Sequence, residues 1–120
     1  MAQKPIPMAV SNTVMIPAGE TLSNPLNCAG YQVAGIMVPD EWDHAQMSLQ
    51  VSPNNNDFYD LFGLDNTEVA VNVTPGTMVM FANLPIKFPS NITMYIRVRS
   101  GTRALAKPQT DDVTLTLVLL

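Results

Sequence analysis

Between residues 46 and 52 apolar and polar side chains alternate strictly. Met47, Leu49 and Val51 point one way; Gln46, Ser48, Gln50 and Ser52 point the other. A period of two is the signature of a half-buried β-strand. Residues 94–99 repeat it, with Tyr95, Arg97 and Arg99 opposite Met94, Ile96 and Val98. The run Val113-Thr114-Leu115-Thr116-Leu117-Val118-Leu119-Leu120 is a further strong strand. Shorter β-branched or aromatic runs predict strands at 13–16, 21–28, 31–38, 58–62, 68–73 and 77–81. Residues 82–91 and 100–112 read as connections.

Turn chemistry separates these runs. Prolines stand at 5, 7, 17, 25, 39, 53, 75, 85, 89 and 108. Each would cost a helix interior about 3 kcal/mol. Pro25 restricts its strand to an edge or a bulge. Asn54, Asn55, Asn56 and Asp57 form a turn cluster, since Asn and Asp tolerate left-handed backbone and build Asx-turns. Only residues 40–45 suggest a helical turn, with Asp40 as its cap and Asp43 close to a capping box. Eight or nine short strands with turns between them predict one all-β, jelly-roll-like β-sandwich over residues 13–120. Immunoglobulin-like connectivity gives the same spacing and stays open. Residues 1–12, with Lys4-Pro5-Ile6-Pro7-Met8, read as an extended N-terminal arm. Such an arm is either a frayed terminus or a docking segment that uses Ile6, Met8 and Val10.

Composition narrows the chemistry. The 120 residues fit one domain. Six basic residues against ten acidic ones leave a net charge of −4. That speaks against nucleic-acid binding through phosphate neutralisation. No apolar run has the ~20 residues a membrane helix needs. The start, MAQKPIPMAV, lacks the apolar core of a signal peptide, so folding in a cytosol is expected. One cysteine, Cys28, allows no internal disulfide and no cysteine-built zinc site. One histidine, His44, excludes a three-histidine metal centre and the HExxH pair.

The candidate sites that remain are few. His44 follows Glu41, Trp42 and Asp43, but no serine lies in a GxSxG elbow to serve as its nucleophile. No catalytic residue and no cofactor is therefore assigned. Asn54–Asn56, Asp57, Asp60 and Asp65 offer oxygen ligands without the EF-hand spacing, and polar turns explain them equally, so no metal is assigned. Trp42 and Tyr59, with Tyr31 and Tyr95, could stack on a sugar, although aromatics at strand positions are more often core. Asn72-Val73-Thr74 and Asn91-Ile92-Thr93 match the glycosylation sequon by composition. Arg97 and Arg99 share a strand face and repel unless carboxylates answer them. Asp57, Asp60, Asp111 or Asp112 could do so, or a partner's acids across an interface. Met78 and Met80 share a face opposite Val79 and Phe81, which raises a subunit contact there.

Two stretches carry a resemblance. One is Gly30-Tyr31-Gln32-Val33-Ala34-Gly35-Ile36-Met37-Val38-Pro39, followed by Trp42, Ala45, Leu49-Gln50-Val51-Ser52 and Phe58-Tyr59-Asp60-Leu61-Phe62. The other is Tyr95-Ile96-Arg97-Val98-Arg99-Ser100-Gly101-Thr102, followed by Gln109 and Leu115-Thr116-Leu117-Val118-Leu119. Together they resemble small virion proteins of tailed bacteriophages, of the cement or decoration kind. The NNND turn before Phe58 and the methionine-rich 78–80 depart from that pattern. The resemblance implies a non-enzymatic jelly-roll protein on the outer capsid surface. It would bind the major capsid protein as a homo-oligomer, a dimer or trimer at a symmetry axis, with no nucleic acid or membrane partner. Contact residues are then expected at Lys4, Ile6 and Met8 in the arm and at Arg97, Arg99 and Arg103. The alternative is a carbohydrate- or receptor-binding sandwich, or a tail component.

Overall fold

The structure, a computed structural model, describes residues 10–63, 65–80 and 93–120. They form nine strands: β1 (Val10–Ile16), β2 (Leu26–Asn27), β3 (Val33–Met37), β4 (Gln46–Ser52), β5 (Tyr59–Asp60), β6 (Ala70–Asn72), β7 (Met78–Met80), β8 (Tyr95–Ser100) and β9 (Val113–Leu119). One sheet runs β1-β9-β3-β7. The other runs β2-β8-β4, with β5 and β6 one after the other along the far edge of β4. Every pairing is antiparallel. The first strand pairs with the last, the second with the eighth, the third with the seventh, and β4 with β5 and β6. That is a long hairpin rolled into two layers, the jelly-roll order rather than the immunoglobulin one.

The core lies where the alternation turns inward. Val14, Ile16, Ile36, Leu115, Leu117 and Leu119 face it from the first sheet. Met47, Leu49, Ile96 and Val98 face it from the second. Each such side chain contributes about 1.5–3 kcal/mol by leaving water. A one-residue slip of β9 would turn Thr114 and Thr116 inward in place of leucines, so the pattern enforces the register. Among the described residues no buried side-chain nitrogen or oxygen lacks a partner.

Three differences from the sequence reading have physical causes. First, β1 begins at Val10 rather than residue 13, because Val10, Ser11 and Asn12 pair with Leu119, Val118 and Leu117. Residues 1–9 of the expected arm, with Lys4, Ile6 and Met8, lie outside the described residues, as does the connection at 82–91. Second, residues 40–45 form a turn and no helix. Long-range partners hold them instead. The Asp43 amide donates to Gln109 Oε1 at 2.8 Å, and its carboxylate accepts the Thr110 amide at 2.6 Å. Third, Trp42 belongs to the core, 3% exposed, with its indole N–H donated to the Ala45 carbonyl at 3.3 Å. Pro25 does mark an edge, since β2 closes its sheet on one side.

Candidate functional site

The sandwich has two outer faces built from the same alternation. The outer face of the β2-β8-β4 sheet carries a closed polar network. Register places Ser48 opposite Arg99, and Gln50 between Arg97 and Asp60. Arg99 is only 7% exposed in its side chain. Its Nη1 meets Asp60 Oδ1 at 2.6 Å, its Nη2 meets Glu68 Oε2 at 2.6 Å, and its Nε donates to Ser48 Oγ at 2.9 Å. Ser48 Oγ in turn donates to the Gly101 carbonyl at 2.7 Å. Arg97 donates through Nε to Gln50 Oε1 at 2.7 Å and lies 3.8 Å above the Phe58 ring centre. Gln50 Nε2 completes the chain to Asp60 Oδ1 at 3.0 Å.

Electrostatics follow from this geometry. Burial pushes the Asp60 carboxyl up. Hydrogen bonds from Gln50 and Arg99 and the charges of Arg99 and Arg103 outweigh it, so its pKa falls below the ordinary carboxylate value. Arg97 is lowered by burial and by the neighbouring Arg99 charge, against a smaller opposing pull from Asp60. The carboxylates that answer Arg99 therefore come from this chain. Asp60 was among the expected partners; Glu68 was not. Asp57 and Asp112 are used elsewhere, by the Asn54 side chain at 2.9 Å and the Ala18 amide at 2.8 Å. Of the three arginines, Arg103 alone keeps its side chain mostly in solvent, 66% exposed, with a 3.4 Å approach to Asp60. Glu68 was missed because it sits just outside β6, and only the pairing of β6 on β4 brings it over β8.

The outer face of the β1-β9-β3-β7 sheet is the opposite case. The registers lay it out as a grid. Ser11, Val118, Gly35 and Met80 form one level across the four strands. Thr13, Thr116, Met37 and Met78 form the next, and Met15 and Thr114 a third. None of these ten residues is charged. Met15, Met37, Met78 and Met80 are 40%, 45%, 44% and 61% exposed. Gly35 makes the grid possible. A Cβ there would come 2.6 Å from Met78 Cε and 2.8 Å from the Val79 carbonyl oxygen. Without one, both methionines lie down over the strand.

The other candidates are placed plainly. His44 is exposed, and its carbonyl accepts Lys107 Nζ at 2.7 Å. Asn54 organises its turn from within. Its Oδ1 accepts the amides of Asn56 and Asp57 at 3.0 and 2.9 Å, and Asn55 takes a φ of 60°. Among the described residues no three His, Cys, Asp or Glu side chains gather as a metal site would need. Cys28 is buried, and burial pushes its thiol up to about 11, away from the reactive thiolate. Tyr59 is exposed, but Trp42 sits in the core and has no face free for a sugar. No helix among the described residues is long and apolar enough to cross a membrane. The chain matches no protein-family model, no curated protein and no solved structure.

Proposed function

We propose that this chain is a non-enzymatic structural protein of a bacteriophage virion, a cement or decoration protein. It would bind the major capsid protein on the outer capsid surface after folding in the host cytoplasm. One observation supports a contact role above all: the uncharged outer face of the β1-β9-β3-β7 sheet, with its four exposed methionines. Exposed apolar side chains gathered on one face mark sites that meet protein, and methionine adapts to the surface it meets. The capsid assignment rests on the resemblance of residues 30–62 and 95–119 to phage cement proteins. Many copies, each bridging neighbouring capsid subunits, add up because every contact after the first is effectively intramolecular.

The test is co-sedimentation with capsid shells that lack the protein. Saturable binding at a whole-number ratio to the major capsid subunit is the expected result. A folded chain that stays in the supernatant overturns the capsid assignment and favours a tail component.

A further inference from the structure

We infer that the turn at residues 101–106 is a second protein-contact point, which seats the Leu105 side chain in an apolar pocket of a capsid subunit and sets Arg103 against a carboxylate at the pocket's rim. This rests on the capsid reading and deepens it. A chain that bridges two subunits needs two contact surfaces, and the methionine face supplies one. The turn follows β8 and lies on the outer side of the other sheet, where Glu68 holds it beside Arg99.

The sequence builds this turn without help from Leu105. Gly101 opens it with a φ of 93°, and a Cβ there would run into the Leu105 carbonyl oxygen and come 2.8 Å from Ala106 Cα. Gly101 and Ala106 form a bridge, and the Lys107 amide donates to the Ser100 carbonyl at 2.9 Å. Inside the turn the Thr102 amide donates to the Leu105 carbonyl at 3.1 Å, and the Leu105 amide donates to Thr102 Oγ1 at 3.1 Å. From below, the Gly101 amide donates to the Gln46 carbonyl at 2.6 Å, and the Gly101 carbonyl accepts Ser48 Oγ. From the side, the Arg103 amide donates to Glu68 Oε2 at 2.9 Å, the same oxygen that meets Arg99 Nη2. The polar network of this face is thus also the mount of the turn.

The Leu105 side chain stands outside all of this. It is 80% exposed, more than any other large hydrophobic side chain among the described residues. Turns draw on Gly, Pro, Asn, Asp and Ser, and Gly101 and Thr102 already supply what this one asks for. Single exposed apolar residues are common on protein surfaces. This one differs in being carried on a turn fixed from three sides, next to an exposed cation and a half-buried ring. The Arg103 guanidinium lies 6.0 Å from the centre of the Phe62 ring, which is 38% exposed. A preformed turn loses little chain entropy on binding, so one leucine held this way binds better than one on a loose loop. Charge specifies the rim of the pocket. Asp60 and Glu68 each meet Arg99 at 2.6 Å, whereas Arg103, 66% exposed, has a 3.4 Å approach to Asp60. In a chain of net charge −4 that is a local site for a partner's carboxylate.

Co-sedimentation with capsid shells that lack the protein tests this, with urea unfolding of each variant alongside. The wild-type chain should bind saturably. Leu105→Ser should weaken binding at least about tenfold, as the loss of one leucine's burial does, with an unchanged urea midpoint. Leu105→Met, which keeps an apolar side chain of similar size, should bind within about threefold of wild type. Arg103→Ala should bind more weakly at low salt and lose part of the wild-type salt dependence. Wild-type binding that Leu105→Ser leaves unchanged overturns this inference while the capsid assignment stands. A lowered urea midpoint in Leu105→Ser would show that the side chain serves the fold, and overturns the inference as well. A wild-type chain that binds no shells ends both readings together.

Discussion

The two outer faces use one alternating pattern and reach opposite ends. On the β2-β8-β4 side the outward positions hold Ser48, Gln50, Arg97 and Arg99, and these groups find their partners in Asp60, Glu68 and Phe58. On the β1-β9-β3-β7 side they hold methionines, which need no polar partner, and serine and threonine hydroxyls, which water satisfies. The first face is finished within the chain. The second is complete as a fold yet open as a surface. A sheet face thus becomes an internal brace or an external contact according to whether its side chains carry obligations that must be met. A buried guanidinium must be answered wherever it sits, while a half-exposed methionine can wait.

The largest test of this contrast is Arg99→Ala. It leaves Asp60 and Glu68 facing each other with only the solvent-exposed Arg103 near Asp60, and should cost about 3–5 kcal/mol, read from urea unfolding. A loss below about 1 kcal/mol would mean that the network is decoration. Next comes Gly35→Val on the other face. The added carbons drive into Met78 and the Val79 backbone, so thermal unfolding should show a loss of about 1–3 kcal/mol. Third is acid. The Asp60 pKa is lowered in the fold, so its contribution is fully present above the ordinary carboxylate pKa and disappears as pH falls through the folded value. Asp60→Asn should be less stable than the parent at neutral pH, and the gap should close as pH falls through the lowered Asp60 pKa. A gap that does not change with pH would show that Asp60 acts by shape rather than charge. The smallest effects belong to Arg103→Ala and Met78→Thr, each within about 0.5 kcal/mol in monomer stability. A larger loss at Met78 would move that residue from contact surface to core.

Much of this was legible in the sequence, for identifiable reasons. Alternation in 46–52 and 94–99 separated the two faces of each strand correctly, because one side of each strand faces the core, and 113–120 was legible as a strand. It placed Arg97 and Arg99 together and named Asp60 among their possible partners. It did not reach Glu68 or Ser48, because a side chain's neighbours across a sheet depend on pairing and register, which alternation does not encode. Around Met78 and Met80 the pattern was ambiguous for another reason. Both faces of that strand are apolar, so hydrophobicity alone did not say which one meets solvent. Residues 40–45 misled because local capping signals lost to Gln109 and Thr110, more than sixty positions away in the chain.

The place of β9 has a consequence for synthesis. It lies between β1 and β3, and Val10 pairs with Leu119. While a ribosome is still making residues 113–119, β1 and β3 have no strand to join them, and the sheet they share cannot close. Closure of that layer must wait until residues 113–119 have been made and are free to pair. Until it closes, Val14, Ile16 and Ile36 lack their cover, and the uncharged run Val113–Leu119 is itself a good template for pairing with other chains. A fold whose late strand sits at its centre makes completion of that strand the gate to assembly, and chains interrupted before it are left open to chaperones and proteases.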